Sequence, residues 1–193
     1  MSNILIGVSG GIAAYKIPSL VSVLTGKGHT VRVIMTEASK HFIGAVTFSA
    51  LSHQPVFDDA KEFTPDGHIT HIELADWADV FVVAPMTANT GAKIMQYFAD
   101  NLLTSTVLAF TKPIIMFPAM NVYMWEKFKR TKEFETEFTY RYTCLEGIDA
   151  LCDSKLRVIV LPDSGKMACG AVGVGKLVST KVIVSVIETT LKK

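Results

Sequence analysis

The sequence predicts a single α/β domain built on a parallel sheet, and three observations carry that expectation. The runs Ile4-Leu5-Ile6-Gly7-Val8, Thr30 to Met35, Val80 to Ala84, Ile114 to Phe117 and Arg157 to Leu161 are short and apolar, with little of the polar alternation of a half-exposed sheet. Strands covered on both faces read this way. Segments of helical spacing separate them, and a β–turn–α–β alternation implies right-handed crossovers. Turn-forming and amide residues follow the carboxyl ends of the runs, the edge where an open parallel sheet holds its ligands. The 193 residues suffice for one such domain with a sizeable core.

Composition narrows the function. The formal net charge of +1 gives no electrostatic case for nucleic acid or an anionic membrane as the main partner. Charged residues make up only 19% and apolar ones 49%, so apolar surface buried in an oligomer is expected. No apolar run approaches the roughly 20 residues needed to span a bilayer. The start, Met1-Ser2-Asn3, has no basic leader, and a cytoplasmic location is expected. The cysteines Cys144, Cys152 and Cys169 are odd in number and irregular in spacing, which argues against a disulfide framework and against a zinc site; no metal is expected.

After the first strand, Ser9-Gly10-Gly11 breaks the run. Glycines at a βα turn let backbone approach a ligand, and the free N–H groups of the following helix favour an anion, although such glycines also serve purely structural ends. Ile12 to Lys27 is spaced as a helix with Ile12, Tyr15, Leu20, Val23 and Leu24 on its apolar face; Pro18 predicts a late start or a kink. Gly26-Lys27-Gly28-His29 ends it. Thr36, beyond the second strand, is a ligand-edge residue or an N-cap. Short helices are expected near Lys40 to Ile43 and Thr47 to Ser52. Gln54 to Gly67 reads as a polar surface excursion. Thr70 and Glu73 have the spacing of a capping box, which puts His71 in a first helical turn, where a neutral imidazole is favoured; a surface histidine fits as well.

The strand Val80 to Ala84 runs into Pro85-Met86-Thr87-Ala88-Asn89-Thr90-Gly91, a loop of small and amide residues, with a helix expected from Ala92 to about Phe98. A further helix, Leu102 to Phe110, buries Leu102, Leu103, Val107 and Leu108. The strand Ile114 to Phe117 stops at Pro118-Ala119-Met120-Asn121, and Asn121 can both donate and accept hydrogen bonds there. Residues 126–156 mix charges and aromatics and read as an amphipathic helix and connector. Residues 162–177 are glycine-rich, a flap rather than a core element. Ser179 to Leu191 closes the chain as an amphipathic helix.

These stretches together carry a resemblance. Ser9-Gly10-Gly11-Ile12-Ala13-Ala14-Tyr15-Lys16, His71-Ile72-Glu73-Leu74, Ala84-Pro85-x-x-Ala88-Asn89-Thr90, Ala99-Asp100-Asn101-Leu102-Leu103-Thr104, Pro118-Ala119-Met120-Asn121-x-x-Met124-Trp125 and Ala168-Cys169-Gly170 occur in this order. The chain resembles the homo-oligomeric flavin-containing cysteine decarboxylases over nearly its whole length. The resemblance implies one flavoprotein domain over 1–193, a Rossmann-like, flavodoxin-type three-layer sandwich binding FMN. It implies a homo-oligomer, a trimer or a dodecamer built from trimers, with sites between subunits. By position, Gly11, Ile12, Ala13, Thr36, Ala38, Thr87, Ala88, Asn89, Thr90 and Ala119 would line the FMN site. His71 would be the catalytic base and Cys169 the proton donor of the reductive half. Asn121 would bind the substrate, with Lys166 and Ala168 beside it. Segment 126–156 is longer than the resemblance leads one to expect.

The implied activity is decarboxylation of 4′-phosphopantothenoylcysteine to 4′-phosphopantetheine, a step of coenzyme A biosynthesis. Direct loss of CO2 would leave an unstabilised carbanion; prior oxidation of the substrate's CH2–SH provides an electron sink, and an enethiol must then be reduced again. Two alternatives share the fold: a peptidyl-cysteine decarboxylase, which has no need of the flap cysteine, and a non-catalytic FMN-binding regulatory subunit. A flavin prenyltransferase would lack the Pro-Ala-Met-Asn loop.

Overall fold

The computed structural model describes residues 1–63, 67–131, 140–142 and 157–192. Seven strands form one sheet: β1 (Asn3–Val8), β2 (Thr30–Met35), β3 (Val56–Phe57), β4 (Val80–Met86), β5 (Ile114–Pro118), β6 (Tyr140–Tyr142) and β7 (Arg157–Val160). Their order is β3-β2-β1-β4-β5-β7-β6, and every pairing is parallel. Without the two short edge strands the order is that of a flavodoxin-type sandwich, with the direction of winding reversing between β1 and β4. The crevice above that reversal is where such a sheet binds ligands.

Alternation along the strands builds the layers. Ile4, Ile6 and Val8 of β1 point to one face, where they meet α1 (Ile17–Gly26), Phe48 of α2 (Ala45–Ser52) and α7 (Thr180–Leu191). Leu5 points to the other face, toward α3 (Thr70–Trp77), α4 (Ala88–Met95), α5 (Leu102–Ala109) and α6 (Val122–Phe128). The strands are therefore apolar on both sides because helices cover both. Phe81 and Phe110 meet edge to face at 5.7 Å within the second layer.

Several expectations change. The helix after the glycine turn starts late, as Pro18 predicts: residues Ile12–Lys16 make a 3-10 turn and α1 begins at Ile17. That turn leaves Ile12 57% and Tyr15 58% exposed instead of in the core. The helix expected near Lys40 is a 3-10 turn, Glu37–His41. Gln54 to Gly67 is not merely an excursion, since Val56 and Phe57 add an edge strand to β2. The capping box does not form: Ile69 holds the N-cap position, the Thr70 hydroxyl donates to the Lys61 carbonyl, and Glu73 pairs with His68.

The helix expected from Ala92 begins at Ala88, because Thr87 is a working N-cap whose hydroxyl accepts from Thr90 N at 3.3 Å. Leu108 is exposed, on the outer side of α5. Within 126–156, the helix of that region starts earlier, at Val122, and the strand β6 stands where helix or connector was expected; most of that segment, with Cys144 and Cys152, lies outside the described residues. The glycine-rich stretch 162–177 is an antiparallel hairpin, β8 (Asp163–Lys166) and β9 (Val172–Lys176), separate from the main sheet.

Candidate functional site

The carboxyl ends of β1, β2, β4 and β5 and the hairpin enclose a cavity of about 1010 Å³. Gly11, Ile12 and Ala13 line it from the β1 turn, and Thr36 and Ala38 from the end of β2. Thr87, Ala88, Asn89 and Thr90 line it from the start of α4, and Ala119 and Asn121 from the end of β5. Lys166, Ala168 and Cys169 come from the hairpin. All the candidate residues but one thus meet in a single cavity.

The exception is His71, which does not line it. Its imidazole lies on α3, with Nδ1 3.4 Å from Glu62 Oε1 and the side chain 22% exposed. Nδ1 is buried and makes no hydrogen bond there, so the ring stands beside the carboxylate without being locked to it.

The walls are fixed to one another. Ser9, which is buried, donates from its hydroxyl to the Pro85 carbonyl at 2.6 Å and accepts from Thr87 N at 3.0 Å. Its side chain braces the β1 turn against the β4 turn and is not left for a ligand. Gly10 is required by close approach: a Cβ there would overlap the Ala38 side chain and stand 2.7 Å from the Ala38 carbonyl carbon. Thr36 is the N-cap of its 3-10 turn without a capping bond, and its hydroxyl donates to Val8 O at 3.4 Å. At the start of α4, Thr90 N is satisfied by Thr87, while the N–H groups of Ala88 and Asn89 precede the first intrahelical bonds and are aimed at the cavity end of the helix.

Asn121 is oriented by its own helix. Its Oδ1 accepts from Tyr123 N at 2.9 Å, the N-cap bond of α6. The amide nitrogen is left as the working end, and it donates to Cys169 Sγ at 3.3 Å. A side chain that can both donate and accept has therefore become a donor only, suited to a carboxylate or carbonyl oxygen. Cys169 is an exposed free thiol. The hairpin reaches this loop through backbone, with Met120 N donating to Gly175 O at 2.9 Å.

Sequence reasoning missed other wall residues. Met124 is 49% exposed and lines the cavity, whereas Trp125, 3% exposed, is packing; they are neighbours in one motif and only the helical phase separates them. Lys16, Lys93, Asp100 and Lys176 also line it. Lys93 pairs with Asp100 at 2.5 Å, and that hydrogen bond above all holds the Asp100 carboxyl below the usual range. Burial, then the Lys176 ammonium, hold the Lys16 ammonium below the usual lysine range, with the Asp163 carboxylate pulling the other way. Among the described residues no helix is long and apolar enough to cross a membrane.

The chain is similar to known proteins over nearly its whole length. The coenzyme A biosynthesis bifunctional protein CoaBC of Bacillus subtilis (strain 168) is 39% identical over 186 residues, 96% of this chain and 42% of that protein. The chain thus spans under half the length of the curated relatives it matches. A solved cysteine-to-serine mutant of PPC decarboxylase, complexed with pantothenoylaminoethenethiol, superposes with a TM-score of 0.82 at 28% identity, covering 100% of this chain and 99% of that one. The FMN-binding protein AtHal3 superposes with a TM-score of 0.78 at 28% identity over 99% and 97% of the two chains. The family described as Flavoprotein matches residues 1–192, and the chain belongs to it.

Proposed function

We propose that this chain binds FMN and decarboxylates 4′-phosphopantothenoylcysteine to 4′-phosphopantetheine in coenzyme A biosynthesis, in the cytoplasm. The observation that carries the reading is the contact between Asn121 Nδ2 and Cys169 Sγ inside a cavity that the glycine turn and the start of α4 also line. The relatives named for coenzyme A biosynthesis and for PPC decarboxylase support it.

The residues present fit FMN. Backbone N–H groups of Ala88 and Asn89 ahead of the first intrahelical bonds and the amide of Asn89 form a donor set suited to phosphate and a ribityl chain, and the Thr36 hydroxyl, which donates to Val8 O, offers an acceptor. The small residues Gly11, Ala13, Ala38 and Ala119 leave flat wall for a planar ring. Bound there, FMN supplies the two-electron oxidation of the substrate and the later return of those electrons.

The chain's own groups supply the rest. Asn121 donates to the substrate carboxylate and holds it against the hairpin until CO2 leaves. The Cys169 thiol stands within hydrogen-bond reach of the same amide, placed to give a proton to the enethiol carbon in the final reduction. The hairpin covers the cavity and excludes water. His71 takes the proton of the first oxidation. It lies off the cavity of its own chain, so this role requires that it act in the site of a neighbouring subunit, within a homo-oligomer, a trimer or sets of trimers. A cysteine-to-serine mutant of PPC decarboxylase complexed with pantothenoylaminoethenethiol supports a cysteine's part in handling the enethiol.

The test is incubation of the FMN-loaded protein with 4′-phosphopantothenoylcysteine. CO2 and 4′-phosphopantetheine are the expected products, and a flavin-loaded protein that yields neither refutes the reading.

A further inference from the structure

Two lysines of the cavity have no use in that scheme. Lys16 ends the 3-10 turn behind the glycines, and Lys176 ends β9 of the hairpin; both line the cavity. Other lysines of the fold are tied down: Lys27 to Glu188 at 2.8 Å, Lys40 to Asp58 at 2.7 Å and Lys93 to Asp100 at 2.5 Å. Among the described residues no carboxylate forms an ion pair with Lys16 or Lys176, although Asp163 is near enough to act on Lys16 through space. The Lys176 side chain lies back along the hairpin, its Nζ 3.8 Å from where a side chain on Gly165 would begin. Two cations from different elements thus line one cavity, and the carboxylate that acts on Lys16, Asp163, lies across the hairpin from Lys176.

We propose that Lys16 and Lys176 form the anion site that takes the 4′-phosphate of the substrate, and so select the phosphorylated arm over the free alcohol. This rests on the function proposed above. Burial first, and then repulsion from Lys176, hold the Lys16 ammonium below the usual range, and a phosphate dianion between the two lysines offsets both. The chemistry divides the cavity accordingly. The Asn121–Cys169 end offers one neutral donor and one thiol, suited to a monoanionic carboxylate beside the reacting carbon. The lysine end offers two point charges, suited to a phosphomonoester. Lys176 rides on the hairpin, and Gly175 beside it is bonded to Met120, so phosphate capture and hairpin docking are one event.

Calorimetric titration of the FMN-loaded protein with 4′-phosphopantetheine and with pantetheine tests the assignment. The wild-type protein binds the phosphorylated form tighter. Lys16→Met and Lys176→Met each lose about tenfold or more of that affinity, leaving pantetheine binding and flavin content unchanged, and Lys16→Arg retains it. An undiminished preference in both Met variants overturns the assignment. Loss of FMN from the variants also overturns it, since the lysines would then hold the flavin phosphate. The decarboxylation assay run beside it separates the two claims. Turnover with no phosphate preference sinks the lysine site alone. A lysine-dependent preference without turnover sinks the reaction and leaves the site standing.

Discussion

Replacing Gly175 by alanine separates the docking of the hairpin from the stability of the domain. Gly175 has φ +149°, a conformation that residues with a Cβ rarely adopt. An added Cβ would overlap the Met120 carbonyl oxygen and stand 2.7 Å from Met167 Cε. Backbone strain of this kind costs about 1–3 kcal/mol. The hydrogen bond from Met120 N to Gly175 O, 2.9 Å long, contributes about 0.5–1.5 kcal/mol. Losing both weakens docking by about 2–4 kcal/mol, which corresponds to roughly 30- to 700-fold in the closure equilibrium.

The hairpin does not belong to the seven-stranded sheet, so this loss stays local. Gly175→Ala is expected to lower kcat/KM by at least about 30-fold while Tm falls by under about 3 °C; a global loss of the same size would lower Tm by about 4–16 °C. Tryptic cleavage at Lys166 and Lys176 should quicken in parallel. A variant with kcat/KM within threefold of wild type, or one whose Tm falls by the full global amount, refutes the argument that docking at Met120 is local and catalytic.

Four more outcomes follow from the site. Cys169→Ser should still release CO2 but accumulate an oxidised, enethiol-type product; complete conversion to 4′-phosphopantetheine removes the role given to the thiol. Asn121→Asp keeps an acceptor for Tyr123 N but sets a carboxylate against the substrate's own, so kcat/KM should fall by about 100-fold or more with Tm nearly unchanged; an active Asn121→Asp enzyme would contradict the clamp. His71→Asn should lose the oxidative step and keep its flavin, and oligomers mixed from His71→Asn and Cys169→Ser chains should regain part of the turnover to 4′-phosphopantetheine that neither variant shows alone; failure to complement argues that sites are not shared between subunits. The Lys16 ammonium is disfavoured in the fold, so the unfolded chain binds more protons in the window below the ordinary lysine value of 10.5. Stability therefore rises with pH through that window, and Lys16→Met should flatten the rise in chemical denaturation series; an unaltered slope counts against it.

The fold was legible where burial on both faces forces an uninterrupted apolar run. Thr30–Met35 matches its strand residue for residue, and Ile114 and Val80 open theirs. It was illegible where a strand is made by position alone. Val56 and Phe57 pair with β2 over two residues, too few for any pattern. The glycines of 163–176 hide a hairpin, since their low strand propensity is overridden by antiparallel pairing and by docking on the Asn121 loop. The cavity walls were legible because motifs at successive strand ends converge by topology. His71 could not be placed by that rule, because it sits on a helix away from the strand ends. Lys176 gave no local signal; its charge acquires meaning only when β9 brings it to Lys16.

The Ser9 brace has a consequence for how such a site could be remodelled. One hydroxyl joins the β1 and β4 turns, so the two walls on either side of the sheet reversal are a single rigid body. The jaw that can be altered without disturbing them is the hairpin, held by its own pairing and a few bonds at Met120 and Asn121. Cofactor grip thus lies in the braced walls, while the substrate is held between those walls and the hairpin. Exchanging residues 162–177 for the corresponding stretch of a relative should change which thiol is accepted while leaving flavin affinity as it was.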